Sequence, residues 1–187
     1  LVVGFKNKTN QHDYIKHLED KTLVDILNET PVEKGDAFFL ETGTVHAIGA
    51  GVLIAEIQQT SDITYRLYDW DRVDVYGNGR ELHNDLAVDA INYEETNTKI
   101  QYKNKTNQSV NLVECPFFTT NILEVSGNFN WKKKKESFTV LMCTEGNFVL
   151  VAPNSKSEFK KGDTVLIPAI IEEFQIIGET SLLEITI

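Results

Sequence analysis

Apolar residues fall in short runs separated by glycine, proline and acidic turns, and the spacing inside those runs changes along the chain. Leu1-Val2-Val3-Gly4-Phe5 is nearly continuous in apolar character and predicts a strand over residues 1–6. "TNQHDYIKHLED" then shows a helix start, with Asn10 placed as N-cap and Asp13 three positions on. "TLVDILN" repeats the pattern: Thr22 is expected to cap, Asp25 stands at the third helical position, and Leu23, Ile26 and Leu27 share a face before Pro31. From residue 32 the period changes, and "KGDAFFL" and "GVLIAEI" both read as buried strands. "YGNGRELHNDLAVDAINY" opens on a turn and becomes helical, with Leu82, Leu86, Ala90 and Tyr93 on one stripe.

"TNTKIQYKNKTNQSV" is polar and marks a boundary, giving a domain over 1–105 and a second over 106–187. From about residue 110 short strands alternate with turns, which suggests a β-sandwich or barrel. The two halves share a fragment. "KGDAFFLETGTVHAIGAGVLIAEI" (34–57) and "KGDTVLIPAIIEEFQIIGETSLLEI" (161–185) begin alike and predict two superposable β-hairpins. Counted from the shared Lys-Gly-Asp, His46 falls opposite Glu173, so the histidine belongs to the first copy alone.

Charge narrows the partners. The formal net charge of −10 and pI near 4.9 disfavour a nucleic-acid partner, and an anionic substrate would need a local cationic pocket. No apolar stretch reaches the length of a membrane span. Cys115 and Cys143 form no metal or redox spacing and suit reduced thiols in a cytoplasm.

The candidate chemistry centres on His46. Glycines 43, 49 and 51 let the backbone turn sharply beside it, while Glu56 and Arg66 lie in the segments that follow. A strand would put Glu56 and Gln58 on one face, and an inward carboxylate is costly unless it pairs or works. By spacing alone, a histidine bonded to backbone near a turn explains His46 as well as a ligand does, and a surface ion pair explains Arg66.

The ordered run "GTVHAIG", "EIQQTSD", "TYRLYDWDR" and "GRELH" resembles the signature of short bacterial class I mannose-6-phosphate isomerases. The resemblance covers residues 1–187 as the C-terminal part of such an enzyme and implies a mainly β, cupin-type barrel or sandwich with a few short helices. The second domain would then be a degenerate cupin lobe. It implies a zinc-dependent aldose-ketose isomerase acting on a sugar phosphate, with His46 as a zinc ligand and Arg66 as the catalytic arginine. The family's other ligands, a glutamine or histidine pair and a glutamate, are expected upstream of Leu1. One histidine does not complete a zinc site, which takes about three or four ligands, so this chain by itself is expected to be inactive.

Interconverting mannose 6-phosphate and fructose 6-phosphate moves a proton between C1 and C2 through an enediolate. Zinc would act as Lewis acid and Arg66 would meet the developing charge. Glu56 is a candidate general base, or equally a partner holding His46 or Arg66. Arg72 is a candidate phosphate contact, or equally a partner of Asp69, Asp71 or Asp74. The lysine run in "WKKKKES" reads as a solvated loop, and His83 as a cap or packing residue. Two alternatives compete: another metal-dependent cupin, and a non-catalytic sugar-binding one.

Overall fold

The protein is described by a computed structural model covering every residue except Asp62, Asp71 and Asn154. It forms two units, Leu1–Lys99 and Ile100–Ile187. The fold is mainly β with three short helices among the described residues.

The first unit is built on β1 (Val2–Phe5), flanked antiparallel by β2 (Leu27–Glu29) and β3 (His46–Ala47). Helix α1 (Gln11–Glu19) starts as the sequence predicts: Asn10 accepts from the Asp13 amide at 3.0 Å and donates through its side-chain amide to the Asp13 carboxylate at 2.8 Å. Helix α2 (Leu23–Ile26) is one turn long, and its capping position is not capped as expected. The Thr22 hydroxyl instead lies 2.8 Å from Nδ1 of His17. Phe5, Tyr14, Leu23 and Leu27 form the buried core, with Tyr93 stacked on Phe5 and edge-on to Tyr14 at 6.0 Å each. Burial, reinforced by the neighbouring Tyr93, pushes the Tyr14 hydroxyl up to about 12.

Besides the Thr22 cap, expectations of two kinds fail in this unit, two strands and a helix. Residues 52–57 form no strand, and Leu53 is 84% exposed. Apolar alternation does not suffice, because a strand needs a neighbour to take its backbone hydrogen bonds, and no described segment of this unit supplies one. In "KGDAFFL" only Phe38 bridges, to Lys99. The second miss is the Leu82–Tyr93 helix, which shrinks to α3 (Asn84–Ala87). Leu82 and Leu86 face solvent, and Ala87, Val88 and Ile91 pack inward.

In the second unit, β4 (Ser109–Glu114), β5 (Thr119–Lys132), β9 (Glu173–Thr186), β6 (Thr139–Ala152) and β7 (Ser155–Lys160) pair in that order, and β8 (Thr164–Ile167) also pairs with β6. All these pairings are antiparallel. The result is a sandwich-like sheet rather than a closed barrel. Along β6 the inward side chains run Leu141, Cys143 and then Phe148, Leu150. The parity changes because the register slips between Cys143 and Glu145, so the bulge keeps both halves of a long strand on the core. Gly146 is required beside it: its φ is +72°, and a Cβ there would lie 2.0 Å from the Glu179 carbonyl oxygen.

The shared fragment is a turn, not a hairpin. Gly35 and Gly162 have φ of +92° and +91°. The Asp36 and Asp163 carboxylates accept from the amides of Glu33 and Lys160, three residues back, at 3.0 and 2.9 Å. Beyond that turn the copies diverge, since β8 and β9 do not pair with each other but flank β6 on its two sides.

The interior of this unit contains one acid. Glu184 is 1% exposed and receives hydrogen bonds from Trp131 Nε1, Ser109 Oγ at 2.8 Å and Asn121 Nδ2 at 3.0 Å, with the Lys134 ammonium 3.5 Å away. Burial pushes the carboxyl upward, but the Trp131 bond, the Lys134 charge and the Ser109 and Asn121 bonds outweigh it, holding the pKa below the ordinary glutamate value. A depressed folded pKa contributes stability that is present above the unfolded value and lost as pH falls through the folded one. Acid melting of the chain should therefore be steeper than that of Glu184→Gln, compared by thermal denaturation from neutral pH downward. Glu184→Ala, which strands three donors, should cost about 3 kcal/mol at neutral pH. Identical acid limbs for the chain and Glu184→Gln would contradict this assignment.

Candidate active site

His46 is placed by three local devices. The Gly4 amide donates to the Val45 carbonyl at 2.7 Å, and His46 itself pairs with Val3 across β1 and β3. Gly43, with φ of +88°, lets the turn lie against the segment after α3. A Cβ there would meet the Ala90 carbonyl oxygen at 2.4 Å, and the Asn92 amide donates to Gly43 at 2.9 Å. The imidazole is exposed, and its Nδ1 lies 2.8 Å from the Thr44 carbonyl. A carbonyl only accepts, so Nδ1 carries the proton and Nε2 presents a lone pair outward, as a metal-ligating histidine does. His46 thus fits one ligand of a metal. Among the described residues no three His, Cys, Asp or Glu side chains gather to complete a site.

Arg66 is held more tightly. Its amide donates to Nδ1 of His83 at 3.0 Å, its carbonyl accepts from the His83 amide at 2.8 Å, and Nη1 donates to the Glu81 carbonyl at 3.0 Å. The neighbours Leu67 and Tyr68 pack on the core, so the segment is fixed from below.

Asp69 is 7% exposed and makes a two-pronged contact with Arg80, through Nε at 2.7 Å and through Nη2. The Arg80 bonds hold its carboxyl below the usual aspartate range; burial opposes this, and the charges of Arg80, Arg72 and Arg66 add to it. Arg80 thus binds the carboxylate directly, and Arg72 and Arg66 act on it through their charge. Arg72 stacks over Trp70 at 5.7 Å. Of the partners considered for it, Asp69 is taken by Arg80, Asp74 caps its own turn through the Tyr76 and Asn78 amides, and Asp71 lies outside the described residues. Sequence reasoning named Asp69 only as an alternative partner of Arg72 and missed Arg80, although the "D…GR" spacing across a Gly-rich turn was the available signal. Glu56 is exposed, with no hydrogen-bond or ion-pair partner among the described residues.

The second unit offers different material. A cavity of about 220 Å³ is lined by Leu150, Phe159, Val165, Ile167 and Phe174, with Ser155 and Ser157 contributing hydroxyls and no ionisable side chain. No helix among the described residues is long and apolar enough to cross a membrane.

The chain thus carries an outward-facing histidine and a fixed arginine on its first unit and a sandwich-like sheet in its second. Comparison with known proteins shows what the chain is similar to. Residues 108–187 match the mannose-6-phosphate isomerase cupin domain. The chain is 34% identical over 92% of its length to mannose-6-phosphate isomerase ManA of Bacillus subtilis, covering 55% of that protein. It is 31% identical over 84% of its length to mannose-6-phosphate isomerase of Streptococcus mutans, covering 50% of it. The crystal structure of the mannose 6-phosphate isomerase from Bacillus subtilis superposes with a TM-score of 0.88 at 28% identity, covering all of this chain and 60% of that one. The chain is thus similar in sequence and in cupin fold to the mannose-6-phosphate isomerases, as the motif run from Gly43 to His83 implied, and spans about half the length of the curated relatives it matches.

The two histidines are predicted to hold opposite neutral tautomers. Long-range ¹H–¹⁵N correlation spectra of the chain above neutral pH should show His46 protonated on Nδ1 and His83 on Nε2. The reverse pattern at either ring would overturn the geometry described.

Proposed function

We propose that this chain serves an aldose-ketose isomerase interconverting mannose 6-phosphate and fructose 6-phosphate by proton transfer through an enediolate. The relatives' names supply the reaction, and the observation that carries it to this chain is the fixing of Arg66 at both backbone atoms and one guanidinium nitrogen. Removing a proton from the sugar carbon puts negative charge on the adjoining oxygens. A guanidinium already held in place meets that charge without reorganising, which is where catalytic stabilisation is largest. Zinc, when bound, supplies Lewis-acid polarisation of the same oxygens. His46 would be one of its ligands through Nε2, and the remaining ligands are not among the described residues.

Glu56 is assigned the general base, since an unpaired carboxylate is free to take a proton. Arg72 is assigned the phosphate: it stands beside Asp69 with its charge only partly met there, and the acidic chain needs a local cation to draw a sugar phosphate. The second unit is assigned a structural role, because its cavity carries no acid, base or cation. The setting is taken to be cytoplasmic, in keeping with two free cysteines.

Arg66→Ala in the complete gene product tests this. A group acting on the transition state should lower kcat and kcat/KM together, by about 10²-fold or more, and leave KM near its original value. Arg66→Lys should recover little, because a point charge does not reproduce a planar fork. The assay is steady-state isomerisation of mannose 6-phosphate with thermal melting as the folding control. A normal kcat with raised KM would make Arg66 a binding residue and refute the assignment.

A further inference from the structure

We propose that His83 is the positioning residue for Arg66, its imidazole standing in for a missing backbone acceptor; the inference rests on the isomerase reading above.

Arg66 and His83 face each other as two residues of an antiparallel bridge would, but only half of the bridge is backbone. The His83 amide donates to the Arg66 carbonyl at 2.8 Å, in the ordinary way. The reciprocal bond would run from the Arg66 amide to the His83 carbonyl. That carbonyl is already engaged, accepting from the Ala87 amide at 2.9 Å and the Leu86 amide at 3.2 Å to start α3. The Arg66 amide is therefore left without a backbone acceptor at a half-buried position, a costly state. Nδ1 of His83 fills the place at 3.0 Å. A methyl, a hydroxymethyl or a longer side chain at this position would not put an acceptor there.

The position of His83 is fixed in turn from the core. Asn84, the next residue, accepts from the buried Tyr14 hydroxyl at 3.4 Å, and Ala87 at the far end of the turn is 1% exposed. Two residues before His83, the Glu81 carbonyl takes the Arg66 Nη1 proton. One short segment thus grips Arg66 at its amide, its carbonyl and its guanidinium. The Tyr65 ring, 6.3 Å from the imidazole, covers the same side.

The test compares His83→Ala, His83→Asn and His83→Gln in the complete gene product, alone and combined with Arg66→Ala. His83→Ala should lower kcat by about 10- to 100-fold, the scale of a small misplacement of a catalytic group, with KM changed less than about twofold. His83→Asn, whose Oδ1 occupies the Nδ1 position, should restore most of that loss, and His83→Gln, one bond longer, should not. On the Arg66→Ala background His83→Ala should add nothing. A normal kcat for His83→Ala beside a crippled Arg66→Ala overturns this inference and leaves the isomerase reading standing. A normal kcat for Arg66→Ala removes the catalytic assignment on which the inference rests, while loss of isomerisation by the unaltered protein would remove the reading itself. Full additivity in the double variant also overturns the inference, since His83 would then act independently of Arg66. Should His83→Ala fail to fold, the Asn-against-Gln comparison decides alone: equal rates in those two contradict a geometric acceptor at the δ position.

Discussion

A carboxylate taken out of water must be met by charge and hydrogen bonds, or it will not stay ionised. Among the described residues each unit buries one such acid, Asp69 at 7% exposure and Glu184 at 1%, and the surroundings of both follow from that requirement. The two solutions differ. Glu184 is enclosed by Trp131, Ser109 and Asn121, with one lysine at its edge, so its bonds tie β4, β5 and β9 together. Asp69 is met by guanidiniums, and the nearby Arg66 and Arg72 are only partly compensated by its single charge. The first arrangement closes a core. The second gathers guanidiniums around a buried carboxylate in the segment that carries Arg66.

The lysine run makes the same point about context. Read as sequence, four lysines in "WKKKKES" suggest a solvated turn. In the fold Lys133 is 10% exposed and pairs with Glu172 at 2.8 Å, Lys134 reaches Glu184 at 3.5 Å, and Lys135 donates to the Thr119 hydroxyl at 2.7 Å. Lys132, 3.9 Å from the exposed Glu173, and also Lys134 and Lys135 remain exposed, as a solvated loop requires, and only Lys133 is drawn in. The run is a clasp over one end of the sheet. Glu173, the counterpart of His46 in the shared fragment, does no more than pair with it.

What was legible in the sequence was whatever depends on local chemistry. The Asn10 cap, the Gly-Asp turns and the strand-rich second half all follow from residue types at fixed spacing, and the structure has them. The strand at 52–57 was misread because pairing is a property of two segments, and one segment's alternation does not report whether a neighbour exists. The stripe on Leu82 and Leu86 was misread because the helix is one turn long and its inward face is set by Ala87. Of the site, the motif run carried His46 and Arg66. The Asp69–Arg80 pair and the His83 grip were hidden, since they join residues 11 and 17 positions apart across a turn whose path no periodicity fixes.

The most direct measurement is a crystal structure of the complete gene product with a reduced, non-isomerisable hexitol 6-phosphate. The account predicts the C1 and C2 oxygens within hydrogen-bond reach of the Arg66 guanidinium, the phosphate at Arg72, and the Arg66 amide still bonded to His83 Nδ1. A sugar phosphate seated in the apolar cavity between β7 and β8, or an Arg66 turned away from the ligand, would contradict it.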